Sequence, residues 1–172
     1  GTSYYGGAGT IYLKPSSDNA ELIIDNNGAN GEWTSTPVAS VPSLTLKKLT
    51  TTRYGKYRLL AGQAFTVLST INTSYNNVVT YGYLVNNGIF NLPSSAYTFP
   101  QQFYYYHNGT LPGLANLTLD QNSYFELQNT NVSTPLNMSS LTIKNGAVMT
   151  HAANSSTISA NLNITGNLTI ET

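Results

Sequence analysis

The chain has no cysteine, so neither disulfides nor a thiolate metal site holds its 172 residues together. It also has little charge: 14 residues are acidic or basic, where a cytosolic domain carries about a quarter. No apolar run approaches the ~18 residues of a membrane span, and no signal peptide is visible. Helical periodicity is missing as well, since no stretch keeps apolar residues at i, i+3, i+4 and i+7 for three turns. Together these absences argue against a helical cytosolic enzyme. A chain opening at Gly1 without Met is expected to be a processed protein or an excised piece.

What the chain has instead is 61 Asn, Ser and Thr residues and 13 Tyr. Solubility must therefore come from amides and hydroxyls, as it commonly does on secreted and cell-surface β proteins. The Leu, Ile, Val and Tyr content supplies the apolar area that separates a folded chain from a disordered one. The expected location is extracellular, at the cell surface.

A short phrase keeps returning: small polar, apolar, Thr, apolar. It stands at Ser43-Leu44-Thr45-Leu46, Asn116-Leu117-Thr118-Leu119, Ser140-Leu141-Thr142-Ile143 and Asn167-Leu168-Thr169-Ile170. Looser copies lie at Phe65–Leu68, Ile89–Leu92 and Leu22–Ile24. The first apolar positions are 22, 44, 65, 89, 117, 141 and 168, a mean interval of about 24 within the range of solenoid repeats. Alternation predicts strands at 10–14, 21–24, 43–50, 57–60, 64–69, 78–85, 88–92, 115–119, 123–127, 140–143, 147–150 and 167–171. Asn-Gly clusters between them read as turns, and Asn145-Gly146 has the form of a hairpin or a sharp corner.

Two architectures fit: a parallel β-solenoid, favoured by the repeat, and a β-sandwich or jelly roll with strand exchange between subunits, favoured by the uneven middle third. Residues 1–172 read as one all-β domain or module with soft boundaries near 37 and 114. Its strand-like ends carry no evident cap, which leads to the expectation of end-to-end assembly with copies of itself or adjacent modules.

The segment Leu141-Thr-Ile-Lys-Asn-Gly-Ala-Val-Met-Thr-His151, with Asn163-Ile-Thr-Gly-Asn-Leu-Thr-Ile-Glu171, resembles repeating phrases of giant parallel β-helix, adhesin-like surface proteins of bacteria and archaea. Gly6-Gly-Ala-Gly-Thr-Ile-Tyr-Leu-Lys14 with Leu22-Ile-Ile-Asp-Asn-Asn-Gly28 is similar to another of their phrases. The resemblance covers about half of the chain, at both ends, and implies a structural module of a surface fibre. Residues 50–113 carry none of it.

Chemistry finds little footing. No phosphate loop, zinc spacing, nucleotide fingerprint or Ser-His-Asp arrangement is present, and His107 and His151 read as surface histidines. Neither enzyme activity nor a cofactor is expected, nor is nucleic-acid binding or membrane insertion. A polysaccharide-degrading β-helix would need clustered carboxylates, for which Asp120 and Glu126 are the candidates. The Asn-Gly loop between Asp25 and Glu32 is a weak calcium candidate or an ordinary turn. Lys47, Lys48, Arg53, Lys56 and Arg58 form a basic stretch that reads either as a polyanion-binding patch or as a solvated strand edge. Tyr104, Tyr105 and Tyr106 alternate across any strand, so part of the run is expected outside, as a glycan or interface contact. Eight sequons, at Asn72, Asn108, Asn116, Asn131, Asn137, Asn154, Asn163 and Asn167, exceed the chance number of about five. They read as N-glycosylation sites or as a by-product of a turn-then-strand repeat. The functional expectation is an extracellular structural protein of a head-to-tail surface fibre, with adhesion as a further role. The alternative is a carbohydrate-binding module that uses the tyrosines.

Overall fold

A computed structural model describes residues 9–13, 20–31, 33–34, 42–128, 135–152 and 161–172. Among these residues the chain is all-β, without helix. The strands β1 (Gly9–Leu13) and β2 (Glu21–Asp25) come first, then β3 (Ser43–Thr52) and β4 (Gly55–Leu59). Next come β5 (Ala64–Asn72), β6 (Ser74–Tyr75), β7 (Val78–Val79) and β8 (Gly82–Asn86). They are followed by β9 (Ile89–Asn91), β10 (Ala96–Phe99), β11 (Phe103–His107), β12 (Asn116–Leu119) and β13 (Tyr124–Leu127). The last are β14 (Leu136–Met138), β15 (Ser140–Ile143), β16 (Val148–His151), β17 (Leu162–Ile164) and β18 (Leu168–Ile170).

The strands stack as a parallel β-solenoid. One wall is the sheet β4-β8-β11-β13-β16, five rungs deep, and a second is β10-β12-β15-β18. The pair β14-β17 belongs to a third column, and β3, β5 and β9 stack in parallel within the sheet that β1 and β2 edge. Among the described residues only β1–β2 and β6–β7 pair antiparallel. A sandwich would be built from antiparallel neighbours, so the solenoid expectation holds and the sandwich falls away. Along the five-rung wall, Gly55 faces Gly82 and Gly82 faces Phe103; Tyr104 then faces Tyr124 and Tyr124 faces Val148. The steps are 27, 21, 20 and 24 residues.

The clear copies of the phrase stack as the sequence predicts: Leu117 lies against Leu141 and Leu141 against Leu168. Leu44 against Phe65 also holds, but on another sheet. Two looser copies shift: Leu22 faces Leu49 rather than Leu44, and Ile89 faces Ala64, leaving Phe90 opposite Phe65. One alternating phrase serves more than one wall, so its recurrence marks strands without marking which column each joins. The structure adds strands at 74–75, 96–99, 103–107, 136–138 and 162–164, and splits the expected strand at 78–85 into β7 and β8. Asn145-Gly146 is a sharp corner, since the strands it joins lie in different sheets.

Alternation sends one side chain in two inward. In β8 and β11 the buried positions are Gly82, Leu84, Asn86 and Phe103, Tyr105, His107. Across the wall Tyr57, Leu84, Tyr105, Phe125 and Met149 share one inner row. Phe99 on β10 meets Phe103, Tyr105 and Phe125 at centroid separations of 5.2, 5.0 and 5.9 Å. Each buried ring or Leu contributes about 1.5–3 kcal/mol, and these contacts weld two walls into one core.

The first corner after β3 is tight. Arg53 and Tyr54 take positive φ of 45° and 65°, a conformation that costs non-glycine residues ~1–2 kcal/mol each. The Arg53 guanidinium offsets that cost. Its Nε donates to Asp25 Oδ1 at 2.9 Å, its Nη2 bridges to the same carboxylate, and its Cζ lies 3.7 Å from the Tyr75 ring centroid. Behind the corner the rungs leave no room for a Cβ: at Gly55 it would stand 2.1 Å from the Ile24 carbonyl oxygen, and at Gly82 2.0 Å from that of Thr51. Gly82→Ala should therefore force backbone apart and cost about 1–3 kcal/mol. Equilibrium urea unfolding should show this as a lower midpoint with an unchanged m value.

Candidate functional site

The outward half of the five-rung wall is as ordered as the inward half. Lys56, Tyr83, Tyr104, Tyr124 and Val148 form one outer row; Arg58, Val85, Tyr106, Glu126 and Thr150 form the next. In-register parallel pairing puts like on like, so the tyrosines stack. Tyr83 lies 5.0 Å from Tyr104, and Tyr104 lies 5.3 Å from Tyr124. Tyr54 and Tyr81 extend the row at the corner, 5.4 Å apart.

Trp33 is brought in by Thr34, whose N–H donates to the Lys56 carbonyl and whose carbonyl accepts from the Arg58 N–H. The indole stands edge-on to Tyr83 and Tyr106, at 6.4 and 5.9 Å. Trp33, Tyr54, Tyr81, Tyr83, Tyr104, Tyr106 and Tyr124 are all half-buried, so each ring keeps a surface open to solvent. Beside them runs a groove of about 400 Å³ lined by Trp33, Arg58, Val85, Asn87, Tyr106 and Gln128.

Tyr83, Tyr104, Tyr106 and Tyr124 hold their protons more tightly than free phenols. Burial, then the neighbouring phenols, push Tyr83 up to about 12, and burial raises Tyr104 and Tyr106 in the same direction. Tyr124 is raised by burial and by its hydrogen bond to Glu126. Its hydroxyl donates to Glu126 Oε2 at 2.6 Å, while Gln128 Nε2 donates to Oε1 at 3.0 Å. Both carboxylate oxygens of Glu126 are thus occupied.

The residues singled out in the sequence disperse or regroup. Tyr104 and Tyr106 lie on the platform, but Tyr105 is sealed in the core and leaves the contact set. The basic stretch breaks up: Lys47 and Lys48 lie on β3, Arg53 is held by Asp25 at the corner, and Lys56 and Arg58 lie on β4 under Trp33. Asp25, the calcium candidate, is committed to the Arg53 guanidinium and to the Asn27 N–H; Glu32 lies outside the described residues. Asp120 pairs with Lys144 at 3.2 Å. Among the sequons, Asn108, Asn116, Asn137, Asn163 and Asn167 are exposed, while Asn72 is half-buried and caps Ser74. Asn131 and Asn154 lie outside the described residues. The sequence reading missed Trp33, Tyr83 and Tyr124; the signal was present as Tyr-Leu-Val-Asn at 83–86 and Tyr-Phe-Glu-Leu at 124–127, but only register joins them.

His151 is exposed, as expected, whereas His107 is 2% exposed. Asn86 Nδ2 donates to the Tyr105 hydroxyl at 2.8 Å, and that hydroxyl shares a 3.3 Å hydrogen bond with His107 Nδ1. Burial pulls His107 down to about 4 from its ordinary 6.5.

Compared with known proteins, the chain matches no family model, no curated protein and no solved structure. The fold and the platform are therefore the ground on which function is argued.

Because the folded state resists protonation of His107, its contribution is complete above pH 6.5. It falls as the unfolded chain takes up the proton between pH 6.5 and 4, by about 3 kcal/mol at most. His107→Gln should be less stable at pH 7 but show a shallower loss over that interval, measured by urea unfolding at stepped pH.

Proposed function

We propose that this chain is an extracellular structural module whose aromatic wall binds carbohydrate, giving a surface protein an adhesive side. The observation that carries the reading is the platform itself: seven half-buried rings along one wall, four of them, Tyr83, Tyr104, Tyr106 and Tyr124, held by strand register. Rigid rings with an open face stack against the C–H face of a sugar, and neutral phenols offer hydroxyls to its oxygens. Stacked on adjacent rungs, they suit an extended chain of sugars laid along the solenoid axis. The charge-poor, amide- and hydroxyl-rich surface supports the extracellular location. The engagement of Asp120 by Lys144 and of Glu126 by Tyr124 and Gln128 supports binding without hydrolysis.

Glycan-array screening followed by calorimetry tests it. Tyr104→Ala and Tyr124→Ala should each weaken the selected glycan about three- to tenfold, with a wild-type circular dichroism spectrum. Binding that survives intact in the folded double variant removes the platform from the mechanism.

A second reading, head-to-tail assembly into a fibre, is favoured by one observation. On the edge strand β18, Leu168 and Ile170 are 56% and 64% exposed, although they continue the rows of Leu141 and Ile143. A rung from a second copy or an adjacent module would cover both, at about 1.5–3 kcal/mol each. Electron microscopy should then show filaments with an axial repeat near one subunit length, lost in Leu168→Asp; dispersed particles at every concentration would dismiss it.

A further inference from the structure

The aromatic wall is not electrostatically even. Lys56 Nζ lies 5.8 Å from the Trp33 ring centroid and 5.9 Å from that of Tyr83, and Arg58 Cζ lies 5.7 Å from Trp33. Arg58 also lines the groove, with Tyr106 opposite. Two other cations of the described residues are held by carboxylates, Arg53 by Asp25 and Lys144 by Asp120, and Lys48 stands opposite Glu21 in the strand register. Lys56 and Arg58 have no carboxylate partner among the described residues, and Glu32, which precedes Trp33, lies outside them. The nearest acid along the outer row, Glu126, sits beyond Tyr106 with both oxygens already accepting hydrogen bonds.

We infer that the ligand of this groove is an acidic carbohydrate, a sugar chain bearing carboxylate or sulfate groups. The inference rests on the carbohydrate-binding reading and adds the charge. A sugar ring would stack on the open face of Tyr106, beside Trp33. Its acidic substituent would then meet the Arg58 guanidinium, whose planar fork matches carboxylate or sulfate oxygens with two parallel N–H donors. Lys56 supplies a second positive charge one residue-pair along β4. A guanidinium resting near an indole is weakly hydrated and loses little on taking an anion, so the aromatic support and the charge act on the same ligand. The neutrality of the platform phenols matters here, since an ionised tyrosine row would repel such a ligand.

Calorimetry with three probes of equal length decides it: a uronic-acid hexasaccharide, a sulfated hexasaccharide and their neutral parent. The expected result is that at least one acidic probe binds about tenfold more tightly than the parent at low salt, with the gap closing as salt rises. The Lys56→Gln/Arg58→Gln variant should lose that gap. Preference for carboxylate over sulfate, or the reverse, identifies which anion the fork takes. Equal binding of all three probes, abolished in Tyr104→Ala, overturns the acidic ligand and leaves the aromatic platform standing. An acidic preference that persists in the double Gln variant overturns the assignment to these two cations. Binding of none of the probes overturns both readings.

Discussion

Parallel in-register pairing places each side chain over its counterpart one rung below, at the ~4.8 Å spacing of hydrogen-bonded strands. Every other property of the molecule follows from that constraint. Inside, it stacks Tyr57, Leu84, Tyr105 and Phe125 into one row, and Phe99 ties this row to the neighbouring wall. Outside, it stacks Tyr83, Tyr104 and Tyr124 into another. The buried row stabilises the fold, and the same geometry read from the other side creates a surface.

The constraint also explains why the corners are where conformation is unusual. Strands must end and turn without disturbing the rung above, so the chain accepts left-handed Arg53 and Tyr54 and holds them with Asp25, Tyr75 and Tyr81. At Gly55 and Gly82 glycine stands where a Cβ would meet the backbone of a neighbouring rung. A cation that looks functional in the sequence is, at Arg53, a clasp between turns.

Much of the architecture was legible in the sequence because alternation and Asn-Gly turns are local properties. The phrase at Leu117, Leu141 and Leu168 stacks as its spacing implies. The same register explains the sequons: Thr98, Thr118, Thr142 and Thr169 share an outward row, and an Asn two residues earlier completes Asn-X-Thr at Asn116 and Asn167. What the sequence concealed was non-local. Tyr105 and His107 look like their neighbours Tyr104 and Tyr106 until one knows which parity faces in. Trp33 joins the platform only through the bridge of Thr34 to β4. A polar, aromatic strand such as Phe103–His107 does not announce itself as central, because its burial is conferred by the rungs on either side.

Those rungs are unequal, and the inequality runs along the axis. Rings crowd the stretch from Tyr57 to Phe125, whereas β15 to β18 bring Leu, Ile and Met, with exposure growing toward Leu168 and Ile170. In a solenoid each rung touches only its neighbours, so cohesion is a chain of local terms rather than a single global one. The molecule is in effect graded like a spring: a densely packed aromatic midsection and a more exposed aliphatic flank, the end from which coils would peel back first. Tension applied along the axis would be absorbed at the flank before it reached the wall, so the platform would keep its shape while the module gave length.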